Sequence, residues 1–353
     1  MKLGVSPGYA FSLATPGQEL EFAVEAERLG FDSLWVGEPY GHEAVSVLAW
    51  FAGATERIGL GSSILAMPGR SAAMTAQAAA TLDLISGCRL TLGLGTSGPQ
   101  VSEGWHGVPF AHQLQRTREY VDVVRMALRR ETVRYDGTSI TLPLAGGEGK
   151  PLKMIIRPPR ADVPIYLASI GPRNTELCGE IADGWIPIWY APEHAARLRE
   201  PLATGAACAG RSIDGIAIAP MVYARIDDDD VDAARAALRP HLALYVGGMG
   251  SRRQNFYNAL VRSYGFEDAA IRVQDLYLDG RKDEAAALLP DELVDMVCLC
   301  GSIERVADRL AAYADAGVDT VITMPAASSA EDRLVQLRLL ARAGERSAVA
   351  AGV

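Results

Sequence analysis

Gly93, Gly95 and Gly98 stand at G-x-G-x-x-G spacing within residues 89–110. Glycines so spaced behind a strand let the backbone approach a pyrophosphate and turn its N–H groups on the anion. Leu90, Leu92 and Leu94 alternate as a strand should. The remainder of the stretch does not fit that chemistry. A dinucleotide fingerprint runs straight into a helix and meets an acidic ribose ligand about 20 residues on. Here Pro99 follows the third glycine, a polar and aromatic loop runs on to Phe110, and Glu119 falls inside a helical pattern. The stretch therefore reads as a strand that delivers Thr96, Ser97 and Gly98 to a substrate or a cofactor. The five cysteines are odd in number and scattered, so they read as small buried hydrophobes rather than a disulfide framework or a zinc site. The acidic run at 227–230 reads as a solvated loop.

The elements that must position this loop repeat along the chain. Residues 2–6 read as a strand. Thr15-Pro-Gly-Gln18 is a capping box with Pro16 at the first helical position, and the helix stops at Gly30. A second strand follows at 33–37, which completes a βαβ unit. The joint Gly30-Phe-Asp32-Ser-Leu-Trp35 recurs as Gly317-Val-Asp319-Thr-Val-Ile322, and more loosely as Ile181-Ala-Asp183-Gly-Trp185. Further strands are expected at 58–65, 89–95, 164–168, 184–188, 216–226 and 320–324, with helical patterns between most of them. Eight strands in 353 residues predict an α/β fold, a (β/α)8 TIM barrel in one domain over 1–353. Two long segments, about 131–163 and 233–301, read as insertions after strands 4 and 7.

Composition narrows the function classes. Hydrophobic residues make up 49% and charged residues 22%, an ordinary globular mix. The net charge of −9, with no Lys/Arg cluster, argues against a nucleic-acid partner. No apolar run approaches a membrane span, and no signal peptide opens the chain, so a cytoplasmic protein is expected. In a TIM barrel the chemistry gathers where strands end. That rule nominates Ser6 to Gly8, Glu38, Ser63 and Ile64, Thr96 to Gly98, Ala168 to Gly171, and Ile188 with Trp189. The set lacks a metal cluster, a Ser–His–Asp arrangement and a poised lysine. It is rich in small residues, hydroxyls and aromatics, which suits a flat organic cofactor and a small-molecule substrate.

These residues carry a family resemblance. The pieces Leu34-Trp-Val-Gly-Glu38, Glu56-Arg-Ile-Gly-Leu-Gly61, Gln77-Ala-Ala-Ala-Thr81, Arg89 to Gly95, Ile165 to Pro172 and Ala182-Asp-Gly-Trp185 resemble the bacterial luciferase-like monooxygenases, in their coenzyme F420-dependent branch. The loop 97–108 is similar to a group of uncharacterised actinobacterial members. The resemblance implies a deazaflavin over the strand ends, and a cis peptide behind its ring at Ser63–Ile64. It places Glu38, Thr96, Ser97, Gly98 and Ile188 beside the cofactor. Ala168, Ser169, Ile170, Gly171 and Arg173 would take its chain and phosphate, in keeping with anion binding at helix N-termini. It also implies a homodimer. The sugar-phosphate and alcohol dehydrogenases of the family carry a histidine and a glutamate where this chain has Pro39 and Gly98. Oxidising an alcohol needs a base, so reduction of an activated double bond or imine is expected. Glu38, Tyr40, His42 and His106 are the acid–base candidates. Two alternatives stand beside this reading: an FMN-dependent monooxygenase of the same fold, and a deazaflavin carrier without turnover.

Overall fold

The computed structural model describes residues 1–9 and 11–350. Eight parallel barrel strands follow the chain: β1 (Lys2–Val5), β2 (Ser33–Val36), β3 (Gly59–Ser62), β4 (Leu90–Gly95), β5 (Ile165–Leu167), β6 (Gly184–Trp185), β7 in two pieces (Ala217–Ile218 and Met221–Ile226) and β8 (Thr320–Pro325). Each pairs with its neighbour in sequence, and β1 pairs with β8. The broken strand β7 closes the ring. Ala217 pairs with Gly184 on β6, and Met221 pairs with both Ile188 and Ile322. The sheet is thus the expected (β/α)8 barrel, strand for strand.

The recurring Gly-x-Asp joint has a mechanical reason. Asp32 exchanges two hydrogen bonds with Leu3: its N–H donates to the Leu3 carbonyl at 2.9 Å, and its carboxylate accepts from the Leu3 N–H at 3.0 Å. Asp183 does the same with Ile165, at 2.8 Å for both bonds, and Asp319 with Ile218, at 3.0 and 2.8 Å. Each aspartate opens one strand while fastening the strand before it, so the joint sets register as well as the turn.

Helices lie outside. α1 (Pro16–Arg28) begins at the predicted capping box on Thr15 and Gln18, and Gly30 beyond it takes φ +83°. α2 (Ala44–Ala54) and α3 (Ala72–Ile85) follow. Most of the apolar core lies between the sheet and this layer. Inside the barrel a smaller cluster of Trp35, Ile186, Ala219 and Ile322 meets Ile64, Tyr166, Ala168 and Met221. Gly61 and Gly93 make room for it. A Cβ on Gly61 would lie 2.2 Å from the Trp35 ring, and one on Gly93 would lie 1.8 Å from the Ser62 carbonyl oxygen.

The loop 96–110 departs from its reading in one respect. It holds a short helix, α4 (Pro99–Gly104), with Gly98 at its N-cap and Pro99 at the first helical position, the usual place for a proline whose N–H would lack a partner. After α5 (Gln113–Leu128), the segment 131–163 forms the expected hairpin, Tyr135–Asp136 against Thr141–Leu142. Its tip is held by Glu119, whose carboxylate accepts from the N–H groups of Thr138, Ser139 and Ile140 at 2.7–2.8 Å. After α6 (Pro172–Ile181) and α7 (Ala195–Cys208), the second insertion starts with α8 (Val231–Ala243) and continues through a π-helical turn (Leu244–Gly248) and four short helices to Val297. It packs its own core against the upper part of β7. The acidic run is structural: Asp227 accepts from Asp229 and Asp230, Asp230 caps α8, and Asp228 accepts from the Ile303 N–H. Cys178, Cys298 and Cys300 are buried as expected, whereas Cys88 and Cys208 are exposed at helix ends, where the hydrophobe reading fails. Among the described residues no helix is long and apolar enough to cross a membrane.

Candidate active site

The carboxyl ends of the strands bring together a group of small residues and a group of aromatic ones. β3 makes the first. Ser62 Oγ donates to the Gly93 carbonyl and accepts from the Gly93 N–H, both at 2.8 Å, so β3 leans onto β4. The Ser63–Ile64 peptide bond is cis, as the resemblance implied, and pairing resumes at Leu65 and Ala66 against Leu94 and Gly95. A Cβ on Gly95 would meet Ile64 at 3.0 Å and Ala168 at 3.6 Å. Ile64, Gly95 and Ala168, from three strands, therefore share one shallow cradle. The Ser63 hydroxyl oxygen is buried there without a hydrogen-bond partner. An unpartnered buried hydroxyl costs about 1–3 kcal/mol, a cost a bound polar group would remove.

The loop after β5 leads into a helix whose N-terminus has no side-chain cap. This helix, α6, starts at Gly171, which takes φ +89°. Nothing lies within 4 Å of where its Cβ would be. Gly171, Pro172 and Arg173 are all exposed, so this helix N-terminus lies at the surface. Ser169 is buried, 3.2 Å from the Thr175 hydroxyl, and its carbonyl takes the Trp185 indole N–H at 3.1 Å. Thr96 and Ser97 end β4 at the rim, Ser97 at φ +58°. Ile188 is half-buried at the end of β6. An orphaned hydroxyl, a cradle a methyl group would fill and an uncapped helix N-terminus fit a flat ring carrying an anionic tail.

Glu38 does other work than an acid beside a ring. Its carboxylate receives both Arg70 guanidinium bonds at 2.7 Å, the Ala66 N–H at 2.9 Å and the Ala44 N–H at 3.4 Å. Arg70 also binds Glu43 at 2.7 Å. Both oxygens of Glu38 are engaged, and together these bonds tie the loops after β2 and β3 to the start of α2. The other acid–base candidates do not converge on one point. Tyr40 is 58% exposed, with its ring 6.4 Å from the still more exposed Trp105. His42 meets Phe11 edge-on at 6.1 Å, and its Nε2 is buried without a partner. His106 packs against Gly69, whose Cβ would lie 3.1 Å from the imidazole.

The aromatic group was not legible as a site. Tyr223 lies two residues along β7 from the inward-facing Met221 and so also faces inward. It stacks on His241 at 4.7 Å. Tyr245, in the π-helical turn, lies 3.4 Å, oxygen to oxygen, from Tyr9 on the loop after β1. Tyr245 and Tyr257 surround Trp189, which is fully buried at φ +51°. Burial pushes the Tyr245 phenol well above its ordinary pKa, and that of Tyr257 to about 12. Burial, with the neighbouring Tyr245, also raises that of Tyr9. These phenols stay protonated near neutral pH and can donate hydrogen bonds. Burial lowers the His241 pKa, so that imidazole stays neutral. The signal available in the sequence was the glycine-rich run behind Tyr245, in which Gly247 and Gly248 lie against Tyr277.

The luciferase-like monooxygenase profile matches residues 3–320, and the chain belongs to that family. It is 43% identical over 340 residues, 94% of this chain and 97% of the relative, to a provisionally named coenzyme F420-dependent oxidoreductase of Mycobacterium tuberculosis. It is 30% identical over 312 residues, 86% of this chain and 88% of the other, to the 5,10-methylenetetrahydromethanopterin reductase of Archaeoglobus fulgidus. Among solved structures, the F420-dependent tetrahydromethanopterin reductase of Methanopyrus kandleri superposes with a TM-score of 0.81 at 24% identity, covering 96% of this chain and 97% of that one. An F420-dependent secondary alcohol dehydrogenase gives 0.78 at 20%, covering 98% and 99%. The two structures share this fold.

Proposed function

We propose that the protein is a coenzyme F420-dependent oxidoreductase that reduces an activated C=C or C=N bond in a small organic acceptor. The observation that carries the reading is the Ile64–Gly95–Ala168 cradle with the unpartnered Ser63 hydroxyl behind it. The named relatives support the choice of cofactor. When bound, the deazaflavin supplies a hydride from its C5. The chain's own residues do the rest. Ile64, Gly95 and Ala168 bear the ring, and Ser63 bonds its polar edge. The α6 N-terminus and Arg173 hold the anionic tail, and Thr96, Ser97, Gly98 and Ile188 border the ring. Glu38 acts through position: with Arg70 it fixes the loop that carries Ser63 and Ile64. Pro39 and Gly98 leave no base at the places where the alcohol-oxidising relatives have one, which favours reduction. A homodimer working in the cytoplasm completes the reading; light scattering of the purified protein tests the dimer. Titration with coenzyme F420 and with FMN, followed by cofactor fluorescence, tests the cofactor. The expected result is saturable F420 binding with FMN weaker. Tight FMN binding without a response to F420 would show the monooxygenase alternative correct.

A further inference from the structure

Aromatic rings gather on the loops after β1, β2 and β4 and on the insertion, in two contacting pairs. Trp105, 68% exposed on the loop after β4, faces Tyr40 on the loop after β2. Tyr9, on the loop after β1, reaches Tyr245 of the insertion through the 3.4 Å hydroxyl contact. Phe11, 42% exposed, lies edge-on to His42. A folded protein has little reason to leave such large apolar rings in water beside a cofactor cradle unless they meet a ligand.

The charge at the mouth points the same way. The loops after β1 to β4, residues 6–15, 37–43, 63–71 and 96–112, contain a single lysine or arginine, Arg70. Its guanidinium is committed to Glu38 and Glu43 and is 14% exposed. No cation on these loops is free to take a phosphate or carboxylate. The polar groups among these rings are neutral, the phenols of Tyr9, Tyr40 and Tyr245 and the Trp105 indole N–H, and the Tyr9–Tyr245 pair at 3.4 Å suits one neutral oxygen.

We propose that this group of rings is the acceptor's seat, and that the acceptor is a flat, uncharged, apolar molecule with a conjugated carbonyl, its oxygen hydrogen-bonded by the Tyr9 hydroxyl. The inference rests on the reduction proposed above. In the step, a hydride from the reduced deazaflavin forms the new C–H bond at the carbon β to the carbonyl. The C=C π pair moves to the α-carbon and on to the oxygen, giving an enolate held by the Tyr9 O–H. The α-carbon then takes a proton from water. The acceptor is reduced by two electrons and the deazaflavin oxidised by two.

The test reads binding to the protein without cofactor, so it stands apart from the cofactor titration. Benzylideneacetone, a flat neutral enone, is titrated by calorimetry beside β-methylstyrene, a flat styrene that lacks the carbonyl group, and glucose 6-phosphate. The enone is expected to bind at least tenfold more tightly than the sugar phosphate. Trp105→Ala and Tyr40→Ala should each weaken it about two- to tenfold, the range of one aromatic pair. Tyr9→Phe should weaken the enone by a similar factor and leave β-methylstyrene unchanged. Tyr40 and Trp105 are exposed and Tyr9 partly so, and coincident thermal midpoints establish that the variants are folded. Glucose 6-phosphate binding as tightly as the enone, or affinity indifferent to Trp105 and Tyr40, would overturn the proposal. So would a Tyr9→Phe effect that is equal for both flat ligands. Failure of F420 to bind in the separate titration would remove the proposed reduction and leave these binding results readable.

Discussion

The Tyr9 loop is held from below by a buried ion pair, and cutting that pair tests how the fold supports the mouth. Glu19 is fully buried and Arg333 is 2% exposed. Glu19 accepts from the Phe11 N–H at 2.9 Å and from Arg333 at 3.1 Å, and its second oxygen lies 3.0 Å from the guanidinium. Arg333 also donates to the Pro7 carbonyl at 3.1 Å and lies 4.8 Å over the Phe22 ring. Both flanks of Tyr9 thus hang on this pair. Removing one partner leaves an uncompensated buried charge, which costs about 3–5 kcal/mol. Glu19→Gln should fall near 3, because the amide oxygen still accepts from Phe11. Arg333→Met should fall nearer 5, because it strands Glu19 and also frees Pro7. The double variant Glu19→Gln/Arg333→Met buries no charge and should cost well under the sum of the singles. Urea unfolding with a common m-value measures all of these. Singles that each cost less than 1 kcal/mol, or a double equal to their sum, would refute the argument.

Gly93→Ala should destabilise by about 1–3 kcal/mol or more through overpacking, because its Cβ would sit inside the Ser62 carbonyl. Gly95→Ala, meeting only side-chain atoms of Ile64 and Ala168, should instead spare the urea midpoint and lower coenzyme F420 affinity by fluorescence. Arg70→Met should cost about 3 kcal/mol, since Glu38 is 11% exposed and would keep only its two backbone donors, and it should weaken cofactor binding in the same titration. His241 has a lowered pKa from burial, so the folded state binds fewer protons than the unfolded chain once pH falls below about 6.5. Stability should therefore drop as pH falls from that point towards the folded pKa, and His241→Phe should flatten the slope of thermal midpoint against pH.

The barrel was legible because its signals are local and repeated. The Gly-x-Asp joints announce a helix stop and a parallel strand, and the structure adds the reason: a carboxylate that fastens the preceding strand. The strand-end rule reached Ile64 and Ala168, which stand just beyond β3 and β5, but not Gly95, the last residue of β4. What remained hidden depends on pairings between distant segments. Nothing near Glu38 in sequence says that Arg70, 32 residues on, will occupy its carboxylate. Nothing near Tyr9 says that Tyr245, 236 residues away, will meet its hydroxyl. Tyr223 reads as an ordinary strand residue until β7 is known to break at 219–220, where it turns from pairing with β6 to pairing with β8.

Gly93 and Gly95 mimic half a pyrophosphate loop for a reason internal to the barrel. They lie two residues apart on β4, so both face inward. At Gly93 the missing side chain admits the backbone of β3, which crosses close enough for Ser62 to bond both Gly93 N and O. That approach swings the following residues, Ser63 and Ile64, over the barrel's interior. At Gly95, one step higher, the missing side chain leaves the hollow that Ile64 and Ala168 border. One glycine bends the neighbouring strand and the other leaves the space that the bend encloses. The two substitutions should therefore fail differently: alanine at 93 in folding, and alanine at 95 in holding the ring.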